Sequence, residues 1–117
     1  MADLIIKKLE SCKSFPVDAG CEGYPDVIFE IILDAEPTQE QISTAVSAME
    51  KFRDTYNRVH LLCPIHYVGD ITDEMENKHP RGIYIDVDFG NALPFALIKA
   101  LRMLEKAGLP IYRVALL

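Results

Sequence analysis

The chain lacks the short motifs that mark the commonest nucleotide-binding and catalytic sites. It contains no G-x-x-x-x-G-K-[ST], G-x-G-x-x-G, G-x-S-x-G or H-E-x-x-H pattern. The phosphate-binding loops, nucleophile elbow and zinc-protease helix that these patterns encode are therefore not predicted. We expect no cofactor.

Long apolar runs are also missing. The first ten residues interleave acidic and basic side chains, and no later segment approaches the roughly 18 apolar residues that a membrane span requires. From this pattern we expect no signal peptide and no membrane partner. We also expect a cytoplasmic location.

Cysteine is scarce and odd in number: Cys12, Cys21 and Cys63, with no C-x-x-C spacing. Free thiols are the default for such a set in a reducing compartment. Cys12 and Cys21 flank the same segment, so a disulfide between these two is the alternative.

Basic residues are outnumbered, with 12 Lys and Arg against 18 Asp and Glu and a net charge of −6. Nucleic-acid surfaces are built from many Lys and Arg contacts, so no nucleic-acid partner is expected. A basic protein, a cation or a cationic small ligand suits this field better. With 117 residues, half of them apolar, the chain is predicted to form one domain, residues 1–117, that needs no metal or disulfide to fold.

Strand and helix signals alternate from Val27 onward. Thr38 and Gln41 form a capping box, and apolar residues at helical spacing follow it. Asn91 is the predicted cap of a second helix, which Gly108 ends. The predicted strands are Val27–Leu33, the alternating segment Val59–Val68, Ile83–Phe89 and the final IYRVALL.

This β-α-β-β-α-β order resembles the ferredoxin-like fold, an α+β architecture with an antiparallel sheet and two helices on one face. Pro64 cannot donate to a sheet ladder, so its strand is predicted at an edge. Residues 27–117 would form the α/β sandwich core. In residues 1–26, Leu4–Leu9 is either an added edge strand or a frayed arm, and Ser11–Asp26 is predicted to be a long irregular segment.

Strand parity predicts a second sheet face without helices. This face combines acidic and apolar side chains, and we expect its apolar part to be covered by another segment or another molecule. A second copy of the chain, forming a homodimer, is the favoured cover, and the N-terminal segment is the alternative. The predicted members are His60, Leu62, His66, Val68, Tyr84, Asp86 and Asp88, beside Ile28, Glu30 and Ile32.

Asp86 and Asp88 are two residues apart on one strand and could converge on a metal ion or serve in acid–base chemistry. If Pro64 pairs with Asp88, His66 lies opposite Asp86 and supplies a third group. His60 is too far along the strand to bind the same ion as His66. The simpler interpretation is that the aspartates keep the face soluble. Cys63 and His66 fall on opposite faces of a regular strand, so they are not predicted to pair as nucleophile and base.

The connection between the two strands, residues 69–82, takes fourteen residues where a hairpin needs about two to five. It is acidic, with Asp73, Glu74 and Glu76, but Met75 stands where a calcium loop requires glycine. This connection is predicted to be either a solvated loop or a recognition element. The second helix carries Phe95, Lys99, Arg102 and Lys106 away from its core side, as either a solvated face or a partner contact.

The leading hypothesis is a non-enzymatic binding module that holds a basic protein or small ligand, in the manner of an immunity-type inhibitor. One alternative is a small metal-dependent or acid–base enzyme that uses Asp86, Asp88 and His66. Another is a small-molecule sensor with a pocket between the sheet and the N-terminal segment. The predicted binding residues are His66, Asp73, Glu74, Glu76, Tyr84, Asp86 and Asp88.

Overall fold

The computed structural model describes residues 3–11, 14–20 and 22–117. They form a mixed α+β structure with three helices and a five-stranded sheet. The helices are α1 (Asp3–Glu10), α2 (Gln39–Val59) and α3 (Ala96–Lys106). The strands are β1 (Val17–Ala19), β2 (Asp26–Leu33), β3 (Tyr67–Asp70), β4 (Gly82–Asp88) and β5 (Ile111–Leu116).

The sheet has the order β1-β5-β2-β4-β3. Every neighbouring pair is antiparallel except β1 with β5, which is parallel. The two central strands, β2 and β4, contain no proline and hold fully buried side chains such as Phe29 and Ile85. Along β2 the buried side chains alternate with less buried ones from Asp26 to Glu30, and Asp86 and Asp88 of β4 are likewise less buried than Val87 between them. This alternation is typical of strands with one face in the core.

Helix α2 begins as predicted. Thr38 accepts from the Gln41 backbone N–H, and the Gln41 side chain accepts from the Thr38 N–H. This reciprocal box satisfies two helix donors that would otherwise have no partner. The buried stripe of α2 packs with α3 onto one face of the sheet and forms the main core. That stripe consists of Ala45, Met49, Phe52 and Tyr56.

The possible extra N-terminal strand is present, but at Val17–Ala19 and not at the predicted Leu4–Leu9. Leu4–Leu9 lies within α1, a helix whose Leu9 is buried and which packs on β1 and α3. Ile5, Ile6 and Leu9 lie on one side of a helix. In so short a segment, the same apolar residues are also compatible with a strand. Within the predicted irregular segment, β1 pairs with β5. Its three residues are too few for alternation to be recognised. The predicted alternative of a Cys12–Cys21 disulfide lies outside the described residues.

The predicted strand Val59–Val68 was also wrong over most of its length. Helix α2 continues through Val59, and only Tyr67 and Val68 of that segment belong to β3. Asn57 explains the difference, because its side-chain amide donates to the Ile65 carbonyl and accepts from the Ile65 N–H, at 2.9 and 2.7 Å. These two bonds tie the segment back to the helix. They replace the strand ladder that Pro64 could not complete.

The second predicted helix begins later than Asn91. Helix α3 starts at Ala96, and its cap position, Phe95, offers no side-chain hydrogen bond. The backbone of residues 89–98 instead makes successive turns through Phe89, Leu93 and Pro94. At the other end, Gly108 adopts a φ of +76°, as its predicted role requires. No helix among the described residues is long and apolar enough to cross a membrane.

Candidate functional site

The sheet face opposite α2 and α3, called the open face below, carries the residues that strand parity predicted for it from β2 and β4. Register pairs Ile28 with Asp86 and Glu30 with Tyr84 across these strands. Helix α1 packs on β1 and α3, so it is not the cover for this face. No α-helix of the described chain lies on the open face, although a 3-10 helix, Thr72–Glu74, contacts β4 from the loop after β3.

The loop between β3 and β4 covers half of the open face. Tyr84 projects from the sheet on this side and yet is only 2% exposed. Its hydroxyl accepts from the His79 backbone N–H at 2.9 Å and donates to Glu30 Oε2 at 2.6 Å. Burial, followed by the bond to Glu30, raises the pKa of Tyr84. Tyr84, predicted as a binding residue, is therefore the anchor of the loop beneath the surface.

A second set of bonds fixes the start of this loop. The Thr72 hydroxyl donates to Asp70 Oδ1 at 2.7 Å and accepts from the Tyr84 backbone N–H at 3.0 Å. Lys78 Nζ donates to the Thr72 carbonyl at 3.3 Å. Residues 71–81, which connect β3 and β4, are thus an ordered cover. Three predicted binding residues point into solvent from it: Asp73, Glu74 and Glu76.

The other half of the open face is an acidic cluster of Asp26, Asp86 and Asp88. Asp26 and Asp88 are directly paired residues of β2 and β4, and Asp86 lies two pairs further along, opposite Ile28. Burial, a side-chain hydrogen bond to Asp26 and the negative charges of Asp26 and Asp88 raise the pKa of Asp86 to about 6. The surroundings of Asp86 therefore disfavour its charged form.

Asp26 is the member that sequence reasoning missed, because it was assigned to the end of the irregular segment. Its signal was parity: Asp26, Ile28, Glu30 and Ile32 are alternate residues of one strand, so they share a face. Extending the predicted strand by one residue would have brought Asp26 into the set.

His66 lies beside Asp88. The pairing predicted opposite Asp86 is wrong, since Gly69 occupies that position and Tyr67 pairs with Asp88. The His66 backbone N–H donates to the Asp88 carbonyl at 2.8 Å, and its Nδ1 is 3.9 Å from Asp88 Oδ2. Gly90, at φ +56°, leaves room for this ring, because a Cβ there would come within 2.6 Å of it.

The remaining predicted members of the face are displaced. Val68 is buried on the helix side, while Tyr67 is 52% exposed on the open face, the reverse of the predicted parity. Irregular backbone before β3 shifts the alternation by one residue. His60 ends α2 and stacks on Tyr56 with ring centroids 4.0 Å apart, so it lies on the helix side and not on the open face. Leu62 precedes β3 and is almost fully exposed, so it is not part of the sheet.

Two predictions about chemistry can be compared with this arrangement: the metal site and the separation of Cys63 from His66. Among the described residues, no group of three or more His, Cys, Asp and Glu side chains has an arrangement that could hold a metal ion. On the helix side, Cys63 contributes, after burial, to the raised pKa of Tyr56. His66 lies beside Asp88 on the open face. The parity argument for separating Cys63 from His66 assumed a regular strand and does not apply. The two residues nonetheless have different surroundings.

A pocket of about 230 Å³ lies beside β1, where the N-terminal segment meets the end of the sheet. Asp18 and Glu22 give it an acidic rim, and Leu116 and Leu117 an apolar wall. This is the location at which the sensor hypothesis expected a ligand, and that hypothesis stays a prediction.

Comparisons with known proteins found no match among family models, curated proteins or solved structures.

Proposed function

We propose that this chain is a non-enzymatic binding module that holds a basic protein on the uncovered half of its open face. The observation that carries the proposal is the cluster of Asp26, Asp86 and Asp88, in which burial, a side-chain hydrogen bond to Asp26 and the negative charges of Asp26 and Asp88 together raise the pKa of Asp86 to about 6. A Lys or Arg brought by a partner would neutralise this repulsion and form charge-assisted hydrogen bonds.

The surroundings of the cluster suit a protein partner. Ile28 is half-buried beside the carboxylates. On β3, the strand next to β4, the Tyr67 ring lies over Gly69 of the same strand. Apolar and aromatic surface next to charge is the usual composition of a protein interface. The three loop carboxylates predicted as binding residues extend the negative field along the same side of the molecule.

A basic partner fits better than the predicted homodimer. Two copies joined face to face through this surface would bring their acidic clusters together, and like charges in an interface are strongly unfavourable. Covering by a small basic protein, as an acidic immunity-type inhibitor would achieve, relieves the charge. The homodimer stays a prediction that sizing can test.

The proposed architecture behind this function is the ferredoxin-like unit, formed by β2 to β5 with α2 and α3 and extended by β1. Its support is that β5, β2, β4 and β3 are neighbours in that order, each antiparallel to the next. Such a unit leaves one sheet face available. We also propose a cytoplasmic location, for which the odd number of cysteines is the support.

A second candidate function is a small acid–base enzyme. One observation favours it: a carboxyl group with a pKa of about 6 can donate or accept a proton near neutral pH. His66 and Asp88 would be its neighbours. This candidate requires a substrate pocket at the cluster, whereas the binding function requires only an accessible surface.

The test is capture from an extract of the source cell with two baits. The first is the native chain, and the second carries Asp26→Asn, Asp86→Asn and Asp88→Asn. A matched control bait replaces three carboxylates of α2, with Glu40→Gln, Glu50→Gln and Asp54→Asn. A basic protein should bind the native and control baits, elute with salt and be lost from the triple aspartate variant.

Retention of the same proteins by all three baits would contradict the proposal, as would capture of acidic proteins alone. The captured protein, once purified, should bind with an affinity that the three aspartate substitutions lower by about tenfold or more.

A further inference from the structure

A groove between α2 and α3 lies on the opposite side of the molecule from the open face. Its volume is about 280 Å³. Helix α2 contributes the side from Phe52 to His60, and α3 contributes the side from Lys99 to Lys106. The groove is therefore framed by two packed helices, which makes it a fixed feature of the fold.

Aromatic rings line one end of this groove. His60 stacks on Tyr56, and Phe95 meets the His60 ring edge-on with centroids 6.1 Å apart. Lys99 Nζ lies 5.8 Å from the centre of the Tyr56 ring and 5.7 Å from that of Phe95. The groove thus offers apolar and aromatic surface with a cation held above it.

The rim on α3 is basic. Lys99, Arg102 and Lys106 follow one another at spacings of three and four residues, so they form a single row along the helix, and all three line the groove. Within the described part of the chain, no carboxylate lies within ion-pair distance of any of them. On a chain of net charge −6, this is a local concentration of unneutralised positive charge.

Apolar side chains continue beyond the groove. Val59 is 75% exposed and Leu62 is 96% exposed. Leu61 and Leu93 are also exposed. Val59 lines the groove, Leu61 and Leu62 directly follow its lining residue His60 in the chain, and the Leu93 backbone approaches the hydroxyl of its lining residue Tyr56. Clusters of this kind mark association surfaces. The surface is wider than a ligand of about 280 Å³ would cover.

We propose that this groove binds an amphipathic helix of a partner protein, with its apolar side in the groove and its Asp or Glu side chains on Lys99, Arg102 and Lys106. Helix-in-groove binding uses apolar residues at i, i+3, i+4 and i+7, and charge complementarity selects the acidic class. A second copy bound symmetrically through the same groove would oppose the two basic rows. The site is independent of the acidic cluster and of its proposed partner.

The test uses a fluorescent synthetic peptide of about 18 residues, long enough to form a helix, with leucines at those positions and glutamates elsewhere. A second peptide replaces every glutamate with lysine. The glutamate peptide should bind the full chain in the micromolar range, and the lysine peptide should bind at least tenfold more weakly. Backbone amide NMR shifts should change at Tyr56, His60 and Phe95.

Two variants distinguish the rim from the overall field. Arg102→Glu with Lys106→Glu should weaken binding of the glutamate peptide about tenfold. The matched pair Lys7→Glu with Lys51→Glu makes the same change in net charge away from the groove and should alter binding less than twofold. All four side chains are exposed, and the single variant Arg102→Gln should reproduce part of the loss without reversing a charge.

Several results would overturn the proposal: no binding of the glutamate peptide, equal binding of the lysine peptide, or equal weakening by the matched pair. Binding of decanoate at the groove without peptide binding would indicate a small-molecule site instead. Self-association that the Arg102 and Lys106 variant abolishes would indicate a second copy. None of these outcomes involves Asp26, Asp86 or Asp88, so the proposed function stands or fails separately.

Discussion

The open face and the helix side of this molecule each contain a buried tyrosine, but they differ in its hydrogen bonds and in the charge of the surrounding surface. On the open face, a buried tyrosine, Tyr84, has hydrogen bonds to Glu30 and His79, and the remaining surface is negative. On the helix side, a buried tyrosine, Tyr56, has no partner with hydrogen-bond geometry among the described residues, and the adjacent rim is positive. A net charge of −6 conceals this division. The comparison teaches that the location of charge predicts partners better than its sum does.

The largest effect is expected from Tyr84→Phe, which tests whether hydrogen bonding holds the loop on the open face. Removing the hydroxyl leaves the His79 N–H and the Glu30 carboxylate without this partner, and we expect the free energy of unfolding to fall by about 2 kcal/mol. Urea unfolding measures the loss. Amide exchange in residues 71–81 should accelerate more than exchange in α2, and unchanged exchange in this loop would show that Tyr84 does not hold it.

The next effect is an increase in stability from Asp86→Asn. Because the pKa of Asp86 is raised to about 6 from 3.8, the folded state binds more protons than the unfolded state between about pH 4 and 6. This group therefore makes the free energy of unfolding fall as pH rises through that window. The substitution removes the charge, so it should stabilise the protein by about 1 kcal/mol at pH 7.5, with the difference vanishing near pH 4.

Thermal unfolding of both proteins across this pH range provides the measurement for Asp86. Asp34→Asn, which removes an exposed loop carboxylate, is the control and should change stability equally little at both pH values. A destabilised Asp86→Asn variant at pH 7.5 would mean that the acidic cluster is not under repulsion.

A smaller effect is expected at the other tyrosine. Burial raises the pKa of Tyr56, and the backbone at Leu93 approaches its hydroxyl without meeting hydrogen-bond geometry. Tyr56→Phe should therefore change the free energy of unfolding by no more than about 0.5 kcal/mol, in either direction. Urea unfolding beside Tyr84→Phe makes this a paired experiment, and equal losses would erase the difference between the two sides.

The smallest effect on stability is expected from Leu62→Ser. The side chain is almost fully exposed, so the free energy of unfolding should stay within about 0.5 kcal/mol of the native value. Retention on a hydrophobic column should nevertheless decrease, since the apolar area near the groove shrinks. A clear loss of stability would mean that Leu62 packs in solution and does not belong to an accessible surface.

The sequence predicted features that depend on local chemistry or on uninterrupted periodicity. The capping box at Thr38, the left-handed Gly108 and the open-face side of Asp86 and Asp88 all follow from residues close in the chain. The sequence predictions were wrong where the backbone conformation depends on a contact between separate segments of the chain. Asn57 converts an alternating segment into irregular backbone by bonding to Ile65, and no period in the sequence encodes that contact.

The candidate site was predicted in part for the same reason. Parity grouped Asp86, Asp88 and Ile28 correctly because β2 and β4 pair without interruption from Asp26 to Ile32. The position of His66 depended on the register of β3, and that strand begins only at Tyr67, later than predicted. Tyr84 was predicted to be available for binding because strand alternation places its side chain on the open face. Alternation does not indicate whether a loop folds back over that face.

The position of β5 has a consequence for the order in which this protein can be assembled on the ribosome. Strand β5 lies between β1 and β2 in the sheet, although all other described helices and strands precede it in the chain. Until residues 111–116 have been synthesised, β1 has no strand to pair with and one edge of β2 is unpaired. The nascent chain must therefore keep that edge from pairing elsewhere until β5 inserts.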